Sequence, residues 1–252
     1  MLHDAVTPHD RIVFAHGFTQ TARSWSTFDR LLRERLQGLE TLAVDLPGHG
    51  DAPPPSDVDL WTSAERLVTA GGAATYVGYS MGGRVTLHAA LAHPGSTRAL
   101  VLIGTTAGID DDDERSARRI ADEQLADHIE TVGVEQFIDE WLANPLFAGL
   151  DDATAMRDDR LRNTATGLAA SLRATGAGTQ QPLWDRLGEL TCPVLVLAGE
   201  HDTKFRALGE RLAGLVTTST FEVIADAGHS VHLEQPEATA AAIARWHRLL
   251  TV

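Results

Sequence analysis

Gly78-Tyr79-Ser80-Met81-Gly82-Gly83-Arg84 follows a short strand-like run over 73–77 and precedes a helix-like run over 85–92. A strand that reverses sharply into a helix leaves no room for a β-carbon two residues before or after the apex. Glycine occupies both positions here, at 78 and 82. Ser80 is left at the apex with its hydroxyl exposed, and the backbone N–H groups of the helix start face any anion that forms beside it. This is a nucleophile elbow, and it predicts an enzyme. A bare G-x-S-x-G string is a weak signal; the strand before it and the helix after it make the reading specific.

Outward from the elbow, apolar strand-like runs alternate with amphipathic ones. Strands are predicted at 11–15, 41–45 and 98–104, and helices at 25–36 and 60–70. Near-continuous apolar strands separated by helices form a parallel sheet covered on both faces. From 109 to 188 the strand pattern stops and polar helical stretches take over, beginning with the acidic run 110–114, which is expected to face solvent. Strands resume at 193–198 and 220–225, with a helix between them and a last one over 236–250. A helical insertion between two strands of one sheet reads as a lid over the sheet's carboxyl edge. The chain is therefore divided into a core (1–108), a helical cap (109–188) and the remainder of the core (189–252). The fold class is α/β, with a mostly parallel central sheet flanked by helices.

In such open sheets ligands bind beyond the carboxyl ends of the strands. Asp202 follows the strand at 193–198, and His229 follows the strand at 220–225 in Asp226-Ala227-Gly228-His229. The order Ser80, Asp202, His229 is the nucleophile, acid, histidine order of an α/β hydrolase. All three are needed, because a serine hydroxyl is a poor base and nucleophile until an imidazole accepts its proton, and the carboxylate fixes the imidazole's tautomer and stabilises its cation. His232 lies three residues past His229 but lacks the strand-Gly-His placement. Asp45, in Asp45-Leu46-Pro47-Gly48-His49-Gly50, also ends a strand but precedes the elbow, and is expected to hold the following loop. His16-Gly17-Phe18 ends the first strand, where an α/β hydrolase places its oxyanion loop; the backbone N–H groups of Phe18 and Met81 are the expected donors. The 11 histidines raise the question of metal. Neither His229-x-x-His232 nor His88 with His93 has a zinc spacing with a third ligand, so no metal and no cofactor is expected.

At 252 residues, 43% hydrophobic and 22% charged, the chain suits one large α/β core with an insertion. Its net charge of −14 argues against nucleic acid or an anionic membrane as partner. The same charge repels an anionic substrate at long range, so such a substrate would require arginines concentrated locally. Lys204 is the sole lysine. A single cysteine, Cys192, excludes an intramolecular disulfide, fits a reducing compartment and reads as a buried filler. The stretch 1–6 has neither the basic region nor the apolar length of a signal peptide, and no run approaches about 18 apolar residues. A cytoplasmic protein without stable membrane association is expected; no pattern specifies an oligomeric state.

From His16 to Pro236 the sequence resembles the 2-succinyl-6-hydroxy-2,4-cyclohexadiene-1-carboxylate synthases, pyruvate-eliminating lyases of menaquinone biosynthesis in the α/β-hydrolase superfamily. The resemblance is carried by His16-Gly17-Phe18, by residues 45–50, by the elbow through Arg84, and by 137–150 with its Trp141 and Pro145-Leu146-Phe147. It continues in 172–180 with Pro182-Leu183-Trp184, in Gly199-Glu200-His201-Asp202-Thr203-Lys204-Phe205, and in 227–236. The first three are shared with many hydrolases. Arg84, the Lys204-Phe205 pair, and Trp141 with Thr175-Gly176-Ala177-Gly178-Thr179-Gln180 are more specific. The resemblance implies a small polycarboxylate substrate and a reaction that removes an activated proton and expels pyruvate without adding water. It implies that Ser80 acts as a base rather than attacking a carbonyl. It assigns substrate binding to Arg84, to Arg118 and Arg162 in the lid, and to Tyr79 and Trp141. Guanidinium forks suit that task because they meet both carboxylate oxygens in one plane. Arg115, Arg118 and Arg119 share i, i+3, i+4 spacing, so spacing alone does not say which faces inward. The alternative function is a serine hydrolase of a small ester, thioester or carbon–carbon bond, using the same triad as a nucleophile.

Overall fold

Alternation along each strand decides how the core is divided. Ile12, Phe14, Val77, Val101 and Leu195 pack into one apolar cluster, while their neighbours Val13, Ala15, Tyr76, Leu100 and Val194 pack into another on the opposite face. A computed structural model describes residues 11–54 and 58–250; the stretch 1–6 lies outside them. Its strands are β1 (Arg11–Ala15), β2 (Glu40–Val44), β3 (Ala74–Tyr79), β4 (Thr97–Ile103), β5 (Val194–Gly199) and β6 (Ser219–Ile224). They form one sheet in the order β2-β1-β3-β4-β5-β6, and every pairing among the described residues is parallel. The expected parallel sheet is thus present. The winding reverses between β1 and β3, so the crevice at their carboxyl ends is where this topology opens a ligand site.

Helices cover both faces. The helices α1 (Ser26–Arg35), α2 (Leu60–Gly71) and α3 (Met81–Ala92) follow β1, β2 and β3. Next come α4 (Asp112–Leu142), α5 (Arg157–Arg160) and α6 (Ala165–Thr175), then α7 (Thr203–Leu215), α8 (Val231–Glu234) and α9 (Pro236–Leu249). Phe28, Leu31 and Leu32 of α1 join Ala240 and Ile243 of α9 against one face; Leu67, Val85, Leu87 and Leu212 of α2, α3 and α7 cover the other. Burying one such large side chain stabilises the fold by roughly 1.5–3 kcal/mol. Two boundaries differ from expectation. The elbow strand runs on to Tyr79, because Gly78 and Tyr79 still pair with Leu102 and Ile103. The helix predicted at 25–36 starts instead with a 3-10 turn, Ala22–Trp25, set by a capping box between Thr21 and Ser24.

Between β4 and β5 there are only helices. Ala126, Ile129, Phe137 and Ile138 of α4 pack on Leu168, Ala169 and Leu172 of α6 in a cluster of their own. Arg173 of α6 ties the pair from outside through Glu123, Asp127 and Glu130. The 31-residue α4 kinks at Gly133, whose φ of 82° and ψ of 168° lie outside the helical range and are open only to glycine at low cost. The acidic run faces solvent, and Asp111 caps α4 by accepting the N–H groups of Asp113 and Glu114. Phe18, after β1, is the one described residue packed against both this cluster and a sheet cluster. No described helix is long and apolar enough to cross a membrane.

Candidate active site

The glycines of the elbow are required chiefly by the close approach of neighbouring backbone. A β-carbon on Gly78 would run into the Gly82 carbonyl and Thr86, and one on Gly82 would run into the carbonyls of Ala15 and His16. Ser80 sits at φ 51° and ψ −109°, a conformation costing on the order of 1–3 kcal/mol. Its neighbours enforce it: Ser80 N–H donates to Ile103 O at 2.9 Å, and Thr105 Oγ1 donates to Ser80 O at 2.8 Å.

Ser80 Oγ lies 3.3 Å from His229 Nε2, and His229 Nδ1 lies 2.7 Å from Asp202 Oδ2. The other Asp202 oxygen accepts the Phe205 N–H at 3.2 Å, so the carboxylate also caps α7 and is held on both sides. The imidazole and carboxylate are buried, and the Phe205 ring packs 4.5 Å from the imidazole. The arrangement can take the serine proton through a histidine whose tautomer the carboxylate sets. At 3.3 Å the serine–histidine contact is the looser of the two. His232 stands apart from this chain of contacts, stacked on Trp25.

The residues after β1 are held by two buried histidines. His16 Nε2 accepts the Leu46 N–H at 3.0 Å and its Nδ1 donates to Gly17 O at 2.9 Å, which requires a neutral ring; burial pushes its pKa down accordingly. His49 Nε2 accepts the Thr19 N–H at 3.4 Å, and burial lowers its pKa well below the ordinary value. Asp45 braces the same region by accepting the N–H groups of Ala22 and Asp51. No acceptor among the described residues takes the N–H of Phe18 or of Met81, and both residues line the pocket beside Ser80.

That pocket has a volume of about 380 Å³. Ser80, His229 and Gly104 form its floor on the sheet side, and Leu125, Trp141 and Leu172 its roof on the inserted helices. Arg84 is buried; its Nη1 donates to Thr175 O at 2.7 Å and Gly176 O at 3.2 Å, and burial, with help from Arg118, pulls its pKa down to about 10. It stays charged at neutral pH. Arg118 lines the pocket with its Nε 2.7 Å from Asp122 Oδ1, and the second Asp122 oxygen accepts the Gly178 N–H. Tyr79 lines it too, its hydroxyl 2.7 Å from Ser230 Oγ, and burial raises its pKa. Arg162 is not brought to the pocket: its guanidinium lies 3.3 Å from Asp51 on the outside.

Arg160 stands there instead. It is 1% exposed, donates from Nε to Ala155 O at 2.8 Å and from Nη1 to Thr19 Oγ1, and lies over the Phe147 ring. The sequence reading missed it and missed Asp122. Both lie in stretches dense with charge, where residue type does not tell an inward side chain from a solvated one. Lys204 completes the lining cations. A chain of net charge −14 therefore gathers Arg84, Arg118, Arg160 and Lys204 around one apolar cavity. The carboxylates lining it reduce to Asp122, since Asp202 is turned to His229 behind it. Away from the pocket, the exposed Glu200, His201 and Asp226 bring ligand atoms within 4.8 Å of one another.

Elbow, triad order and parallel sheet define a class, and residues 12–242 match the alpha/beta hydrolase family, to which this chain belongs. More particularly, the chain is 32% identical over 245 residues to the 2-succinyl-6-hydroxy-2,4-cyclohexadiene-1-carboxylate synthase of Salmonella agona (strain SL483), covering 94% of each. Its fold superposes on MenH from S. aureus with a TM-score of 0.89 at 29% identity, covering 99% of this chain and 97% of that one. It also superposes on a thermophilic esterase from Thermogutta terrifontis, solved with malate bound, at a TM-score of 0.80 and 26% identity, covering 96% and 90%.

Proposed function

We propose that this chain is a lyase of menaquinone biosynthesis. It eliminates pyruvate from 2-succinyl-5-enolpyruvyl-6-hydroxy-3-cyclohexene-1-carboxylate to give 2-succinyl-6-hydroxy-2,4-cyclohexadiene-1-carboxylate. The name of its Salmonella relative supports the assignment. The observation that carries it is the gathering of four cations over an aligned triad, in a protein whose overall charge would otherwise repel a polyanion.

Ser80, its proton drawn by His229, removes the activated proton from the ring. The electron pair released forms a ring double bond to the next carbon, the existing ring double bond shifts by one position and its electrons expel the enolpyruvyl oxygen, and the leaving enolate takes up the proton to become pyruvate. Atoms balance without water, metal or cofactor. The Phe18 and Met81 amides stabilise charge that gathers on the substrate's oxygen as the proton leaves; one such donor is typically worth about 2.7–4 kcal/mol. Arg84, Arg118 and Arg160 hold the carboxylates, with Arg160 in the place first given to Arg162, while Tyr79 and Trp141 shape the apolar wall. The cap, 109–188, supplies the roof, and the core segments 1–108 and 189–252 supply the triad. The reaction is placed in the cytoplasm.

The test is pyruvate release from the named substrate, measured beside short-chain nitrophenyl esters. The likeness to the Thermogutta terrifontis esterase supports a second reading, ester hydrolysis with Ser80 as nucleophile. A preference for neutral esters, with a covalent adduct on Ser80 after rapid quench, would establish that reading and overturn the lyase.

A further inference from the structure

Around Tyr79, several buried polar atoms share one difficulty. Gln20 Nε2, Trp25 Nε1, Arg160 Nη2 and both ring nitrogens of His232 are out of solvent and meet no hydrogen-bond partner among the described residues. These side chains are neighbours. His232, 1% exposed, stands between the Trp25 ring, stacked at 4.5 Å, and the Tyr79 ring, also at 4.5 Å. Gln20 Oε1 accepts the Gly17 N–H at 3.0 Å, and Gly17 lies against the Tyr79 ring. Arg160 reaches Thr19, next to Gln20, through Nη1, and the adjoining Asp159 accepts a hydrogen bond at 2.7 Å from Ser24, next to Trp25.

The inventory of the group is lopsided. Trp25 and Arg160 contribute only donors, Gln20 contributes its amide N–H pair and one remaining lone pair on Oε1, and a neutral imidazole contributes one donor and one acceptor. Burial beside the arginine keeps that imidazole neutral. One ring nitrogen and one amide lone pair cannot satisfy the donors of three side chains, and a buried donor left bare forfeits the hydrogen bond it makes with water in the unfolded chain. Water both donates and accepts, and a buried molecule typically makes about three such bonds.

We propose that an ordered water cluster beside Tyr79, bounded by Gln20, Trp25, Arg160 and His232, links the acceptor nitrogen of His232 to Arg160 Nη2. His232 is thereby a positioning residue for the guanidinium. This functional part rests on the reading that Arg160 meets a substrate carboxylate. The histidine three residues past the triad base then has a task outside proton transfer: it holds one edge of the arginine so that the rest of the fork keeps its aim at the ligand.

A crystal structure of the full chain, with one crystal soaked in bromide, tests the cluster directly. Water within hydrogen-bond reach of both His232 and Arg160 Nη2 is expected; a dry contact, or a bromide peak in that space, overturns the proposal. The positioning role is read by kinetics. His232→Phe should raise KM roughly 2- to 13-fold, the value of one hydrogen bond of about 0.5–1.5 kcal/mol, with kcat little changed. His232→Gln, which offers a donor and an acceptor in similar volume, should recover most of the loss and covers the case in which phenylalanine disturbs folding. In an Arg160→Ala background His232→Phe should add nothing. A wild-type KM in His232→Phe, or equal losses with and without Arg160, refutes the role. Absence of pyruvate release by the wild type would instead sink the lyase reading, leaving the crystallographic result to decide the cluster.

Discussion

Replacing Arg84 by alanine probes the substrate class and the attachment of the lid together. Its Nη1 is committed to two carbonyls at the end of α6, leaving the other donors of this pocket-lining residue for a carboxylate. A charge-assisted hydrogen bond to substrate is worth about 1.5–3 kcal/mol, so Arg84→Ala should cost roughly 10- to 150-fold in kcat/KM. Loss of Nη1 also strands the carbonyls of Thr175 and Gly176, at about 1–3 kcal/mol, partly offset because a buried cation beside Arg118 is removed. For a chain of this size that is a fall in Tm of roughly 2–12 °C. Arg84→Lys should recover part of each, since an ammonium cannot fork. Pyruvate release coupled to a lactate dehydrogenase reads the first quantity, and a thermal melt the second. Wild-type kcat/KM together with wild-type Tm in Arg84→Ala would refute the placement of this guanidinium between lid and ligand.

Ser80→Ala should lower kcat by on the order of 10²–10⁴-fold or more, and Asp202→Asn should also be severe because the histidine tautomer is lost; near-wild-type turnover in either removes the triad from the mechanism. Arg160→Ala should raise KM for the polyanion, whereas Arg162→Ala, which breaks an exposed pair with Asp51 worth about 0–1 kcal/mol, should leave kcat/KM at the wild-type level; the reverse outcome restores Arg162 to the site. Stability should be full above pH 6.5 and fall as pH drops below it. His16, His49, His88 and His232 are buried with lowered pKa values, His88 at about 4 and His232 at about 3, so the unfolded chain takes protons that the folded chain refuses. For His88 and His232 this amounts to about 2 kcal/mol each at pH 5. A Tm unchanged between pH 7.5 and 5 would show that these rings are solvated or paired.

What could be read from sequence is what local constraint determines. Gly78 and Gly82 mark the elbow because no other residue fits the turn, and Asp202 and His229 are found by counting from strand ends, which apolar runs reveal. The placement of guanidinium groups follows a different logic. Arg157, Arg160 and Arg162 lie in one polar stretch, yet Arg157 pairs with Asp139, Arg162 with Asp51, and only Arg160 turns inward to Thr19. That choice is made by packing between residues distant in sequence, 141 positions apart for Arg160 and Thr19 and 111 for Arg162 and Asp51, and periodicity carries no trace of it. The kink at Gly133 was equally hidden, since an isolated glycine in a helical pattern does not announce a positive φ. The acidic run and Arg84 were legible because each sits at a helix terminus of known orientation.

Phe18 has two separable parts. Its amide belongs to the backbone that turns out of β1 beside Ser80, while its ring packs edge-on against Phe137 and Trp141 of α4 and also packs on the sheet side. A rigid six-atom ring thus joins the roof of the chamber to the same peptide that faces the reacting atoms. The same turn is fastened from beneath, Thr19 N–H donating to His49 and Thr19 O accepting from Asn163, so turn and roof are joined at this ring. A side chain that never meets a proton thereby sets how far the inserted helices stand from the peptide beside Ser80.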